Sequence, residues 1–242
     1  MSGEAAVFAR GLTRRFGDFT AVASLDLDVM PGEIFGFLGA NGAGKTTAIR
    51  MLCGLLPPSG GEARVAGCRV GRDTAALKRR LGYMSQRFSL YEDLTVLENL
   101  EFFGGVYGLG RAELAARADE LLPRLGLDAE RGRLTGSLPL GYKQRLSLGC
   151  ALAHRPRVLF LDEPTGGVDP VARRGFWDLI YEQAAAGVTV FVTTHYMDEA
   201  EYCGRVSIMV QGRIVALDTP SGLKARTGGA DMQDVFLRLV DA

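Results

Sequence analysis

Cysteine is scarce in this chain, as are histidine and tryptophan: four, two and one among 242 residues. Cys53, Cys68, Cys150 and Cys203 are scattered, with no C-x-x-C pair and no histidine at metal-ligand spacing. That pattern argues against a zinc centre or a disulfide framework, and the thiols are expected to be reduced and mostly buried. Neither sign of charge is in excess, since Lys+Arg and Asp+Glu are both 28. A protein that lives on nucleic acid usually shows a basic excess or stripe, so no nucleic-acid partner is expected. No run approaches the roughly 20 apolar residues that span a bilayer. The start, Met1-Ser2-Gly3-Glu4, lacks the basic region and apolar core of a secretory signal. There is no internal repeat. The expectation is a cytoplasmic protein able to sit against a membrane.

What is present is an ordinary globular composition, 47% hydrophobic and 23% charged. It also holds a stretch rich in glycine, Gly39-Ala40-Asn41-Gly42-Ala43-Gly44-Lys45-Thr46-Thr47. This fits G-x-x-x-x-G-K-[ST], a loop whose backbone N–H groups cradle phosphates. An apolar strand, Glu33 to Leu38, precedes it, and Thr46 to Leu56 follows as a helix with Ile49, Leu52 and Leu55 at helical spacing. Gly39, Gly42 and Gly44 let the backbone approach phosphate closely. Lys45 supplies charge to the β- and γ-phosphates, and the Thr46 hydroxyl can ligate Mg²⁺.

The remaining chain alternates strands and helices. Residues 7 to 30 read as strands around a turn at Phe16-Gly17-Asp18, and Ala63 to Val70 as a further short strand. Thr74 to Arg80 is a basic helix, and Leu81 to Gln86 a strand ending in a polar residue. From Leu94 to about Leu127 the sequence favours helix. Thr95 or Asp93 is the candidate cap, and Glu98 completes a capping box with Thr95. Leu114, Ala118, Leu121, Leu122 and Leu125 form one apolar face, read as packing. Sheet-like sequence returns at Arg157 to Leu161 and Gly187 to Thr194, with a helix from Pro170 to Ala186 between them. Val206–Val210 and Arg213–Ala216 flank the turn Gln211-Gly212. This order implies a mostly parallel sheet with helices on both faces, here a P-loop core carrying an inserted helical subdomain.

Several polar residues end strands at the same sheet edge, where ligands of parallel sheets bind. Asp162 suits Mg²⁺ coordination together with Thr46. Glu163 is the candidate general base or water-orienting group. His195 can contact the γ-phosphate or partner Glu163, and Gln86 can reach Mg²⁺ or the water.

In that order these motifs resemble, over essentially the full length, the nucleotide-binding subunit of an ATP-binding cassette (ABC) transporter. Gly39–Thr47 corresponds to the Walker A motif, Gln86 to the Q-loop and Leu138–Arg145 to the signature. Val158–Glu163 corresponds to Walker B, Gly167-Val168-Asp169 to the D-loop and His195 to the H-loop. The resemblance implies a RecA-like α/β core with an N-terminal antiparallel β subdomain. It implies boundaries near 1–86, 87–155, 156–218 and 219–242. It also implies MgATP as ligand, catalytic roles for Lys45, Gln86, Glu163 and His195, adenine stacking on Phe16, and nucleotide contacts from Gly141 and Asp169. Two cassettes are implied, each phosphate loop facing the other's signature, either as a homodimer or as a heterodimer.

Ser137 to Leu146 and Thr193 to Cys203 are similar to ABC-2 type multidrug exporters, which implies transmembrane permease partners and a place on the inner face of the membrane. Phe88 to Leu100 is a candidate docking groove for those partners or simply core. One departure stands out. Where the family reads L-S-G-G-Q, this chain has Leu138-Pro139-Leu140-Gly141-Tyr142. Pro139 has neither hydroxyl nor N–H, so the site it faces is expected to be impaired. The alternatives are a regulatory cassette with little hydrolysis and a soluble cassette unconnected with transport.

Overall fold

In a computed structural model of the chain, residues 4–86 and 89–240 are described. Phe88, the first residue of the expected docking stretch, lies outside them. Two sheets organise the chain. The first is antiparallel, in the order β2-β1-β4-β5, from β1 (Val7–Phe16), β2 (Phe19–Val29), β4 (Gly60–Val65) and β5 (Cys68–Arg69). In β2 the apolar Leu25, Leu27 and Val29 are buried while Asp26 is exposed, as alternation on a one-sided sheet requires.

The second sheet has the order β10-β9-β3-β8-β7-β6. It comprises β3 (Ile34–Leu38), β6 (Leu81–Met84), β7 (Val158–Asp162), β8 (Thr189–Thr194), β9 (Arg205–Val210) and β10 (Arg213–Asp218). Its strands are parallel apart from β10, which joins β9 in an antiparallel hairpin. Every residue of β3, β7 and β8 is buried, as expected for strands covered on both faces.

Between the two sheets the rings of Phe35, Phe37 and Phe160 surround Phe191 with centroids 5.3–5.4 Å away. The helix α1 (Lys45–Leu52) closes this core with Ile49, Met51 and Leu52. On the other face of the six-stranded sheet, α5 (Leu140–Leu152) and α6 (Pro170–Ala185) contribute Leu146, Leu148, Phe176, Trp177 and Ile180. Against them lie α3 (Val96–Val106) and α4 (Arg111–Arg124), the helical stretch the sequence anticipates. Thr95 caps α3 with Glu98 in a reciprocal box, so Thr95 rather than Asp93 starts the helix. Ala118, Leu121, Leu122 and Leu125 are buried. The remaining helices are α2 (Thr74–Arg80), α7 (Pro220–Thr227) and α8 (Met232–Val240).

Some boundaries differ from the sequence expectation. Ala63 to Val70 is no single strand: it turns at Ala66 and Gly67, both at positive φ, to make the β4–β5 hairpin. The first helix ends at Leu52 rather than Leu56, because Gly54 at φ 70 reverses the chain. All four cysteines are free and buried. Among the described residues no helix is long and apolar enough to cross a membrane.

Candidate nucleotide site

The topology brings four loops to one edge of the six-stranded sheet. They follow β3, β8, β7 and β6, which are consecutive neighbours. After β3 the loop 39–44 leads into α1. Gly44 sits at φ 108, and a Cβ there would stand 2.5 Å from the Ala21 carbonyl oxygen. Gly42, at φ 82, faces open space. A side chain at Gly44 would break the loop, and at Gly42 it would strain it.

Lys45 is nearly fully buried. Its Nζ donates to the carbonyls of Gly39 at 2.7 Å and Ala40 at 3.1 Å, and lies 3.3 Å from Glu163 Oε1. The other carboxylate oxygen of Glu163, Oε2, accepts from Gln86 Nε2 and from His195 Nδ1, each at 3.0 Å. Three loops thus converge on one carboxylate. Glu163 has φ 51, a left-handed conformation unusual for a residue with a side chain and characteristic of functional sites.

Beside it, Asp162 is fully buried. Its Oδ1 accepts from Thr193 Oγ1 at 2.7 Å and from Thr46 Oγ1 at 3.2 Å. Burial pushes the carboxyl's pKa up, against the pull of those two hydroxyls. Oδ2 is buried without a hydrogen-bond partner. A buried acceptor left over beside a threonine hydroxyl fits Mg²⁺, a hard cation that takes oxygen ligands and is commonly completed by substrate phosphates.

A cavity of about 270 Å³ opens above these groups, lined by Asn41, Gly42, Gly44, Lys45, Thr46, Thr47, Gln86 and Glu163. Gly39 and Ala43 do not line the cavity, and both are buried. Phe19 also lines the cavity, whereas Phe16 does not. The two are paired across the β1–β2 turn, and the Arg14 guanidinium lies 4.5 Å from the Phe16 ring centre. The resemblance points to Phe16 and gives no role to Phe19. The two-residue turn between them, Gly17-Asp18, is the signal that was available. In the sequence Thr193 likewise stands only as part of a strand. A hydroxyl at the end of a fully buried strand was its signal.

Gly141 and Asp169 lie outside this cavity. Asp169 caps α6, its Oδ1 accepting from the N–H groups of Val171 and Ala172 at 3.0 Å. Pro139 is the N-cap of α5 and makes no side-chain cap hydrogen bond. Leu140 covers the D-loop of its own chain: a Cβ on Gly167 would meet Leu140 Cδ2 at 3.3 Å.

Comparison with known proteins decides the family. The ABC transporter family profile matches residues 22–166. The chain belongs to the ABC transporter family. It is an ATPase cassette with the α/β fold of that family, similar to those of multidrug efflux. It is 48% identical to the probable multidrug ABC transporter ATP-binding protein YbhF of Escherichia coli, over 98% of this chain and 42% of that one. The cassette therefore spans about two fifths of that relative's length. It is 44% identical to the daunorubicin resistance ATP-binding protein DrrA3 of Streptomyces coeruleorubidus, over 97% of this chain and 74% of that one. A solved ATP-binding subunit of an ABC transporter superposes with a TM-score of 0.87 at 29% identity, covering 97% and 99% of the two chains. A solved cassette dimer in a post-hydrolysis state, bound to ADP and Pi, gives a TM-score of 0.79 at 25% identity, covering 88% and 98%.

Proposed function

We propose that this cassette hydrolyses MgATP at the interface with a second cassette and thereby drives export of a drug or other lipophilic substrate through ABC-2 type membrane subunits. The observation that carries the reading is the Glu163 carboxylate, held at once by Lys45, Gln86 and His195 beside Thr46 and Asp162. The loop amides around Gly42 and Gly44 bind phosphate, and Lys45 faces the β- and γ-phosphates. Glu163 orients the attacking water and takes its proton. The bond from the γ-phosphorus to the bridging oxygen then breaks, leaving ADP and phosphate. His195 holds Glu163 and meets the γ-phosphate, and Gln86 reports on both. Mg²⁺, held by Thr46 and Asp162, would neutralise charge developing on the phosphates.

The adenine stacks on the β1–β2 turn at Phe16, with Phe19 beside it. Gly141 and Asp169, outside this chain's own cavity, act on the partner cassette's nucleotide. The solved dimer with ADP and Pi supports the paired arrangement. The names of YbhF and DrrA3 support a drug as cargo.

Permease docking is favoured by an apolar surface beside Gln86. A cavity of about 360 Å³ there is lined by Leu55, Tyr83, Leu90, Phe103 and Val106. Val106 and Leu55 are more than half exposed, and Tyr91 and Phe102, also exposed, meet edge to face at 4.8 Å. Within the expected docking stretch, Val96 and Leu100 belong to the core instead. On this reading the chain sits on the cytoplasmic face of the membrane. A second reading, a cassette with little hydrolysis, is favoured by Pro139 at the start of α5.

The deciding experiment is steady-state ATPase of the intact complex with Glu163→Gln. At least a hundredfold loss is expected, and equal rates would discard hydrolysis at this carboxylate.

A further inference from the structure

Behind the phosphate site, side chains outside the catalytic set tie the H-loop to the turn after Walker B. Arg173 lies one turn into α6. Its guanidinium carbon sits 4.1 Å from the centre of the Tyr196 ring. That ring is in turn 4.2 Å from the ring of His195, inclined by 35°. On its other side Arg173 Nε is 3.7 Å from Glu199 Oε1, and Nη1 donates to Asp198 Oδ2 at 3.4 Å. Glu199 is completely buried and accepts from Thr165 Oγ1 at 2.5 Å. Thr165 stands two residues after Glu163.

A fully buried carboxylate is costly unless it is paired and hydrogen-bonded. Among the described residues Arg173 is the one cation in contact with Glu199. The separation is that of an ion pair rather than a hydrogen bond, and Arg173 Nε and Glu199 Oε2 are both buried without hydrogen-bond partners. A lysine would not reproduce this arrangement, because only the planar guanidinium stacks on a ring while pairing in its own plane.

From this geometry we infer that Arg173 is a positioning residue for hydrolysis. Through Tyr196 it sets the tilt of the His195 imidazole, so that Nδ1 faces Glu163 Oε2. Through Glu199 and Thr165 it fixes the turn that carries Glu163 into its left-handed conformation. One side chain on α6 thus holds both partners of the His195–Glu163 pair without touching the reacting atoms. The role rests on the hydrolytic reading of that pair.

The test uses a signal that does not need activity. The chain has two histidines, His154 and His195, so imidazole C–H resonances of the full chain are assigned by His154→Gln. Stacked on Tyr196, the His195 resonance is expected upfield of a free imidazole. Arg173→Ala and Tyr196→Ala move it towards the free position. Arg173→Lys moves it most of the way, and Tyr196→Phe leaves it in place. In the intact complex Arg173→Ala lowers kcat for ATP hydrolysis at least tenfold with KM within twofold, Tyr196→Ala follows it, and Tyr196→Phe stays near wild type. Should Arg173→Ala fail to fold, Arg173→Met keeps the apolar stem and carries the same expectations. An unmoved His195 resonance in Arg173→Ala or Arg173→Met overturns the inference, as does a Tyr196→Phe loss equal to that of Tyr196→Ala. If wild type and Glu163→Gln hydrolyse ATP equally, the hydrolytic reading fails, while the resonances still decide whether Arg173 positions His195.

Discussion

Thr193 Oγ1 donates to Asp162 Oδ1 at 2.7 Å and accepts from the Glu163 N–H at 3.0 Å. One hydroxyl on β8 therefore fixes both the carboxylate proposed for Mg²⁺ and the backbone of the proposed base. Thr193→Val removes it at nearly constant volume. A lost hydrogen bond to a charged group costs about 1.5–3 kcal/mol. The Mg²⁺ concentration giving half-maximal ATPase is expected to rise about tenfold or more, and Thr193→Ser should restore it. A magnesium titration of the three proteins checks this.

Pro139 caps α5 without a side-chain hydrogen bond. Serine there supplies a hydroxyl to the helix start, a change of about 0.5–2 kcal/mol in stability. In the proposed dimer, where it would face the partner's nucleotide, it also supplies a donor to phosphate. Pro139→Ser is expected to raise Tm by a few degrees and turnover of the assembled complex by about tenfold. An unchanged ATPase rate would remove Pro139 as the limit on that site.

Stacking of a base on an aromatic ring is worth about 1–3 kcal/mol. Phe16→Ala is therefore expected to raise KM for ATP by roughly fivefold or more while kcat changes little. Phe19→Ala, which alters the cavity wall, should also raise KM, but less. Nucleotide binding measured with both variants ranks the two rings.

His154 stacks on Tyr107 with ring centres 3.6 Å apart, and its Nε2 donates to the Leu81 carbonyl at 2.9 Å. Burial holds its pKa below the ordinary value near 6.5, with Arg117 adding to the depression. The unfolded chain then binds more protons than the folded one just below that value. The stability contributed by neutral His154 is complete above about pH 6.5 and is lost as pH falls through the folded pKa. Thermal melts from pH 8 to pH 5 should show a steeper decline in wild type than in His154→Gln.

A Cβ on Gly82 would stand 2.3 Å from the Ala151 carbonyl oxygen, so β6 and α5 touch backbone to backbone. Gly82→Ala must push them apart. It is expected to cost about 1–3 kcal/mol, read as a lower denaturation midpoint.

Much of this was legible in the sequence for physical reasons. The phosphate loop is local chemistry, with glycines, lysine and threonine all within nine residues. Asp162, Glu163 and His195 end apolar runs that could only be buried strands. Thr95 and Glu98 carry their own capping signal. What escaped was non-local or set by single torsions. The division of Ala63–Val70 rests on positive φ at Ala66, a residue that rarely adopts it. Phe19 faces the cavity through hairpin register. The partnership of Arg173, Tyr196, Glu199 and Thr165 joins residues up to 34 apart, through contacts that no spacing announces.

The four loops of the site hang from neighbouring strands, and neighbouring strands are spaced about 4.8 Å apart by their own backbone hydrogen bonds. The width of the site is thus set by peptide groups, which every residue shares, rather than by the side chains packed beneath. Truncating Phe191 or Ile180 should then reduce how much cassette a cell accumulates, at about 2–5 kcal/mol per large side chain. The molecules that do fold should turn over ATP at nearly the normal rate. For this chain, harmful core variants and harmful edge variants should separate cleanly into loss of quantity and loss of quality.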